Sequence, residues 1–398
     1  MDVTSTRRTD LDMNVVLAIE AINPPLAGVG RYAWELATRL PQHIDVESVR
    51  YLSDGLWRAL PVLNQGETPG VPSFNLKARI RQGLGRSTTV AKVYGRLAPY
   101  IARRSLRKLK NGIFHGPNYL VPETDLKKIV TVHDLSIFRF PQWHPQARVN
   151  RARQAIPLSV QRANLVITDS LATRLEVIDE FNLQPHNVLA IPLGVDEQFH
   201  PRTEAELMPV LDRLGLQQNT YTLFVSTIEP RKNLSRLLTA YRALPNALRM
   251  HHPLVLVGDK GWQSDAIHTE IKQAKEEGWL IYLGYIEQHY LPSLYAGCRL
   301  FAYPSLYEGF GLPIAEAMAS GVPVLTSNRS SMPEVAAGAA MLVNPEDVDS
   351  IREGLQQALE DQQWRSVAIA KGLQRAAELT WNACVQNTVA AYKLVQQS

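Results

Sequence analysis

Short apolar runs alternate with segments of helical periodicity along two stretches of the chain. From Met13 to about Val195 the runs are NVVLAIEAI, IVTVHDL, NLVITDS and NVLAIPLGV, each closed by polar residues or glycine. Runs of this length with such endings predict parallel strands in βα units, a doubly wound sheet. From Tyr221 the series resumes with YTLFVSTI, HPLVLVGD, LIYLGYI, RLFAYPS, VPVLTS and AAMLVNP. The expected fold class is therefore α/β, with two Rossmann-like domains whose parallel sheets face each other across a cleft. Between them HPRTEAELMPVLDRLGLQQN is polar, carries two prolines and breaks the rhythm. The predicted organisation is a flexible leader (1–13), an N-terminal domain (14–199), a linker (200–219), a C-terminal domain (220–380) and a final helix (381–398). In that helix Trp381, Val385, Val389, Tyr392 and Val395 recur near a 3.6 spacing, a stripe that must dock on something.

The chain has 398 residues, 45% of them hydrophobic and 20% charged, which suits a globular protein of two domains. No apolar run reaches the length of about 18 residues that a bilayer span needs. The leader MDVTSTRRTDLDMN lacks the apolar centre of a signal peptide, so a cytoplasmic location is expected. Cys298 and Cys384 have no metal-ligand spacing and read as packing residues of a reduced compartment. Residues 1–200 carry 25 Lys/Arg against 18 Asp/Glu, and the remainder 17 against 20, so the net +4 hides a basic first half. Segment 77–110 holds eleven basic residues and no acidic one, with apolar residues interleaved. It predicts a surface that meets something anionic, either a membrane face or nucleic acid. Few aromatics accompany these charges to stack bases, which weighs against nucleic acid.

Ligands of doubly wound sheets bind beyond the carboxyl ends of the strands, and the unusual residues lie there. In YPSLYEGFGLPIAEAMASGVPVL (303–325), Glu308 falls in a glycine-flanked loop over the cleft and Glu316 in the first turn of the following helix. The two carboxylates suit hydroxyls at different parts of one elongated ligand. A plainer role for both, a solvated loop residue and a helix-dipole partner, is also open. In VSTIEPRKN, Arg231 and Lys232 stand at a helix entrance, where cations are disfavoured unless an anion is bound. A diphosphate is the anion they suit. In PPLAGVGRYAWEL, Gly28 and Gly30 permit close approach of a ligand to the backbone. In IVTVHDLSIF, His133 ends a strand and can contact a sugar or relay a proton, although a simply hydrogen-bonded histidine is the bland alternative. The tripeptides DLD (10–12) and DVD (347–349) match a metal-binding pattern only superficially, and no metal site is expected.

Together, EGFGLPIAE, PRKN, GVGRY and VHD resemble glycosyltransferase family 4, over about residues 14–395 and in the family's order. The resemblance implies the GT-B fold, with the final helix crossing back to the N-terminal domain. It implies a retaining, metal-independent hexosyltransferase with a nucleotide-sugar donor and no cofactor. Glu308 would then hold donor-sugar hydroxyls and Glu316 the ribose hydroxyls, while Arg231 and Lys232 neutralise the diphosphate, with Gly28 and Gly30 closing over it. His133 would border the reacting carbon, and the backbone at Tyr285 and Ile286 in GYIEQ would read the base. Val29 stands where the family more often has isoleucine. The similarity is greatest to bacterial enzymes that move mannose-like sugars, from GDP-mannose or GDP-rhamnose, in lipopolysaccharide O-antigen or exopolysaccharide assembly. Their acceptor is a saccharide or a lipid-diphosphate-linked saccharide, which implies peripheral attachment at the inner face of the cytoplasmic membrane through 77–110. A UDP-sugar donor, a GT-B epimerase of the nucleotide sugar and, outside enzymes, a nucleic-acid-binding protein are the alternatives.

Overall fold

The computed structural model describes residues 13–24, 26, 28–62, 100–261 and 265–397. Thirteen strands are described. Seven form one sheet: β1 (Met13–Ala18), β2 (Val46–Ser53), β3 (Leu56–Arg58), β4 (Ile113–Gly116), β5 (Lys127–Val132), β6 (Leu165–Thr168) and β7 (Val188–Ala190), in the order β3-β2-β1-β4-β5-β6-β7. The other six are β8 (Thr222–Val225), β9 (Leu254–Val257), β10 (Leu280–Gly284), β11 (Leu300–Tyr303), β12 (Val324–Ser327) and β13 (Ala340–Val343), in the order β10-β9-β8-β11-β12-β13. All five pairings of this second sheet are parallel, whereas β2 and β3 form an antiparallel hairpin. Strands such as LVLV and LFAY are apolar without interruption because helices cover both faces, and all four residues of each are buried. The α/β expectation holds for both halves.

Strand order reverses between β8 and β11 in the second sheet, and the loops leaving these neighbours are the ones that carry Arg231, Lys232 and Glu308. Parallel register sets Phe301 of β11 beside Leu223 of β8, so loops far apart in sequence emerge side by side.

Contacts divide the chain into two compact units that do not follow the sheets one for one. The first gathers the described residues up to Thr131 with Ala155–Val166 and the chain from Val385, and the second comprises Val132–Gln154 and Ile167–Cys384. Within the first unit, the last helix (Trp381–Gln397) contributes Val385, Val389, Tyr392 and Val395 to the core, as their spacing predicts. The Tyr392 hydroxyl lies 2.7 Å from Nδ1 of the fully buried His115, whose Nε2 lies 2.8 Å from Thr131 Oγ1.

Two details add to the sequence reading. β1 begins at Met13, which is buried, so the last residue of the expected leader belongs to the first strand. Segment 200–219 holds a helix, Glu204–Arg213, closed at its start by a capping box in which Thr203 and Glu206 exchange hydrogen bonds. Leu207 and Leu211 are buried, and Leu211 packs where Gly297 has no side chain: a Cβ there would come within 2.9 Å of it. Both cysteines are buried and neither is in a disulfide. Among the described residues no helix is long and apolar enough to cross a membrane.

Candidate active site

The site is built in the second unit around a buried ionic node. After β8 the chain makes a short 3-10 turn, Pro230–Lys232, and Asn233 takes a left-handed conformation (φ 61°) before the helix Leu234–Arg242. Asn233 is held there by donating to the carbonyls of Pro304 (3.0 Å) and Pro345 (2.6 Å). The turn therefore aims Arg231 and Lys232 at the loop after β11. Arg231 donates to Glu308 Oε2 at 2.6 Å and to Glu229 Oε1 at 2.8 Å, and Lys232 donates to Glu308 Oε1 at 2.7 Å. Tyr303 and Ser305 hydroxyls also reach Glu308 Oε1, at 2.9 and 2.7 Å. Glu308 is only 7% exposed and Lys232 8%. Glu308 is therefore buried and paired, not the solvated loop residue of the plainer alternative, and Glu229, which sequence reasoning passed over, balances the charge of the node.

Burial alone would push the Glu308 carboxyl up, but Arg231 and Lys232, with the Lys232 and Ser305 hydrogen bonds, hold it down at about 2. Lys232 sits below its ordinary value, because burial first and the adjacent Arg231 second outweigh the pull of Glu308. Arg231 is raised: burial opposes its charge, and Glu308 and neighbouring carboxylates more than offset that. The pairing thus rests chiefly on Arg231. A carboxyl depressed from 4.5 to about 2 contributes stability that is fully present above about pH 4.5 and lost as pH falls through about 2. The contribution is about 3 kcal/mol at neutral pH. Urea unfolding of wild type and Glu308→Gln between pH 6 and 2 tests this: the stability gap should narrow on acidification, and a gap independent of pH would contradict it.

The loop that follows is fixed through its carbonyls. Ser330 and Ser331 hydroxyls bond to the Glu308 carbonyl, Ser331 also lies 2.8 Å from that of Phe310, and Ser170 (2.7 Å) and Thr173 (3.1 Å) donate to that of Gly309. Among the described residues the amides of Gly309, Phe310 and Gly311 have no partner. They precede the helix Leu312–Ala319, whose N-terminus adds its own positive potential. Gly309 is required by packing, since a Cβ there would sit 1.8 Å from the His133 carbonyl oxygen. Gly321 follows the helix with φ +74°, a conformation that glycine adopts without strain. Glu316 is the fifth residue of this helix, so it lies in the second turn and not the first. It faces Tyr295, whose hydroxyl is raised well above its usual range by burial first and by Glu316 next.

His133 follows β5 and belongs to the same unit. Its Nδ1 lies 2.7 Å from Oδ2 of Asp169, a residue at the end of β6 that sequence reasoning missed. Tyr285, after β10, is 47% exposed, and Ile286 beside it is half-buried. Gly28 and Gly30 lie in the first unit. Gly28 caps the helix Val29–Arg39 with φ 49°, ψ −117°, a glycine conformation, and Gly30 is needed by the chain itself, because a Cβ would stand 2.8 Å from the Ala21 carbonyl oxygen. Of the basic segment, 77–99 lies outside the described residues. In its remainder Ala102 and Leu106 are buried in the protein, while Arg103, Arg104, Arg107 and Lys108 are exposed. Asp347 of DVD caps the helix Val348–Glu360 by accepting from Asp349 and Ser350 amides, and DLD lies outside the described residues.

Residues 26–199 match the family described as Glycosyltransferase Family 4, and residues 213–375 match Glycosyl transferases group 1. The chain is 38% identical over 383 residues to O-antigen chain mannosyltransferase B of Escherichia coli, covering 96% of this chain and all of that protein. It is 33% identical over 227 residues to Serotype-specific mannosyltransferase WbdA of the same species, covering 56% of this chain and 28% of the relative. Among solved structures it is similar to Anabaena HepE, solved in complex with UDP and glucose, with TM-score 0.65, 19% identity, and 95% and 99% of the two chains covered. That likeness shows the GT-B fold alone. Two parallel α/β halves, a match in each of them and full-length similarity to a transferase agree, and the chain belongs to the family 4 glycosyltransferases.

Proposed function

We propose that the protein transfers a mannose-like hexose from a GDP-sugar, with retention at the anomeric carbon and without a metal, to a saccharide or lipid-diphosphate-linked acceptor during O-antigen assembly. The observation that carries this is the buried node of Arg231, Lys232 and Glu308 set against the unpartnered amides of Gly309–Gly311. The amides and the helix N-terminus favour an anion, and the two cations supply the positive charge that a departing diphosphate needs. Glu308 takes sugar hydroxyls as the phosphates draw on its cations, Glu316 takes the ribose hydroxyls, and the backbone at Tyr285 and Ile286 borders the base. His133 lies against the transferred sugar. In a same-face substitution the bond from C1 to the leaving phosphate oxygen breaks, the acceptor oxygen bonds C1, and the acceptor proton passes to that phosphate. The names of the relatives support mannose and O-antigen chemistry.

Membrane attachment at the cytoplasmic face is part of the proposal, with its force confined to charge: Arg103, Arg104, Arg107 and Lys108 point outward, whereas the apolar residues among them serve the core. Each cation near an anionic surface contributes about 1 kcal/mol. Incubation with GDP-mannose and a mannose-terminated acceptor in excess EDTA tests the chemistry. An α-mannosyl product formed at full rate is expected, and GDP should raise the melting temperature more than UDP. Activity that EDTA abolishes and Mg²⁺ restores would overturn the metal-free route. An altered nucleotide sugar formed without acceptor would establish the epimerase instead.

A further inference from the structure

Asp169 is 3% exposed, and its Oδ1 has no hydrogen-bond partner among the described residues. A buried carboxylate with one oxygen unserved is a costly way to fill a core, and it calls for a reason. Its other oxygen supplies one, lying 2.7 Å from His133 Nδ1. The next residue, Ser170, donates to the Gly309 carbonyl at 2.7 Å, and Gly309 in turn packs on the His133 carbonyl. One dipeptide at the end of β6 thereby fixes both His133 and the loop that bears Glu308. A carboxylate only accepts hydrogen bonds, so its contact puts a proton on Nδ1, and in the neutral imidazole Nε2 is then the acceptor.

We infer that Asp169 is a positioning residue for transfer: it holds His133 in the Nδ1–H tautomer, with Nε2 turned into an acceptor for a hydroxyl of the transferred sugar. This rests on the proposal that His133 borders that sugar. Asparagine at 169 keeps the shape but can offer an N–H to Nδ1, which reverses the tautomer and turns Nε2 into a donor. With the full chain, Asp169→Asn should lower kcat about 10²-fold while KM for GDP-mannose stays within about threefold. Long-range ¹H–¹⁵N spectra of histidine-labelled protein, with the His133 signal identified from His133→Gln, should show Nδ1–H in the wild type and its loss in Asp169→Asn. Introduced into His133→Gln, the Asp169→Asn change should cost nothing further. A kcat within about threefold of wild type, an unchanged tautomer, or losses that simply multiply would each overturn the inference. Should the wild type transfer no sugar from any donor, the proposed function fails, while the wild-type spectrum still decides whether Asp169 sets the His133 tautomer.

Discussion

Glu308→Ala is expected to lower turnover by at least about 10²-fold and, unlike an ordinary active-site change, to destabilise the protein as well. Both effects follow from one geometry. Glu308 accepts from Arg231, Lys232, Tyr303 and Ser305 together, at 2.6–2.9 Å, in a largely buried setting. Its removal leaves the buried Lys232 without a carboxylate and Arg231 with Glu229 alone, and breaking a buried pair from one side costs about 3–5 kcal/mol. Lys232→Ala should match the catalytic loss with a smaller cost in stability, since Lys232 is already held below its ordinary value and Arg231 keeps both carboxylate partners. Glu308→Gln keeps the volume and an acceptor but not the charge, so it separates packing from electrostatics. Turnover and urea midpoints of the three variants check the scheme, and wild-type turnover in Glu308→Gln would remove Glu308 from the site.

Gly309→Ala should be nearly as damaging to turnover, by about 10²-fold, although a single methyl is added and no charge or hydrogen-bonding group is lost. The new Cβ would stand 1.8 Å from the His133 carbonyl and 3.0 Å from Asp134 Cβ, so either the loop or the β5 terminus has to move. The carbonyls of Glu308, Gly309 and Phe310 are all held by hydroxyls, so such movement cannot be confined to residue 309. Gly338→Ala is the informative comparison. Gly338 has φ +79° and open space around it, so the change strains the backbone by about 1 kcal/mol and should leave turnover intact. Equal turnover in the two variants would mean that the close approach at Gly309 has no part in catalysis.

Strand positions and the charged residues at their ends were legible because uninterrupted apolar runs mark buried parallel strands, and because cations at a helix entrance are anomalous wherever they occur. Pairing was not legible. That Arg231 meets Glu308 across 77 residues depends on β8 and β11 being neighbours, which periodicity does not encode. Glu229 and Asp169 escaped notice for the same reason: each reads as an ordinary polar residue after a strand until the fold supplies its partner. The helix Glu204–Arg213 is a different case, since the Thr203 and Glu206 signal was present in the sequence but Pro201 and Pro209 obscured it. Glu316 falls at the fifth helical position, just past the first turn, because the helix begins at Leu312, one residue before its proline.

The contact between His115 and Tyr392 has a consequence for the order of assembly. These partners are 277 residues apart, and the unit they belong to recruits Val385, Val389 and Val395 for the same core. During synthesis this unit remains without part of its interior until Val385–Val395 have been made, after Ile167–Cys384 of the second unit. Closing so long a loop is entropically slow. β4 is therefore made early but completed late, and in the interval its apolar face stays open to wrong contacts.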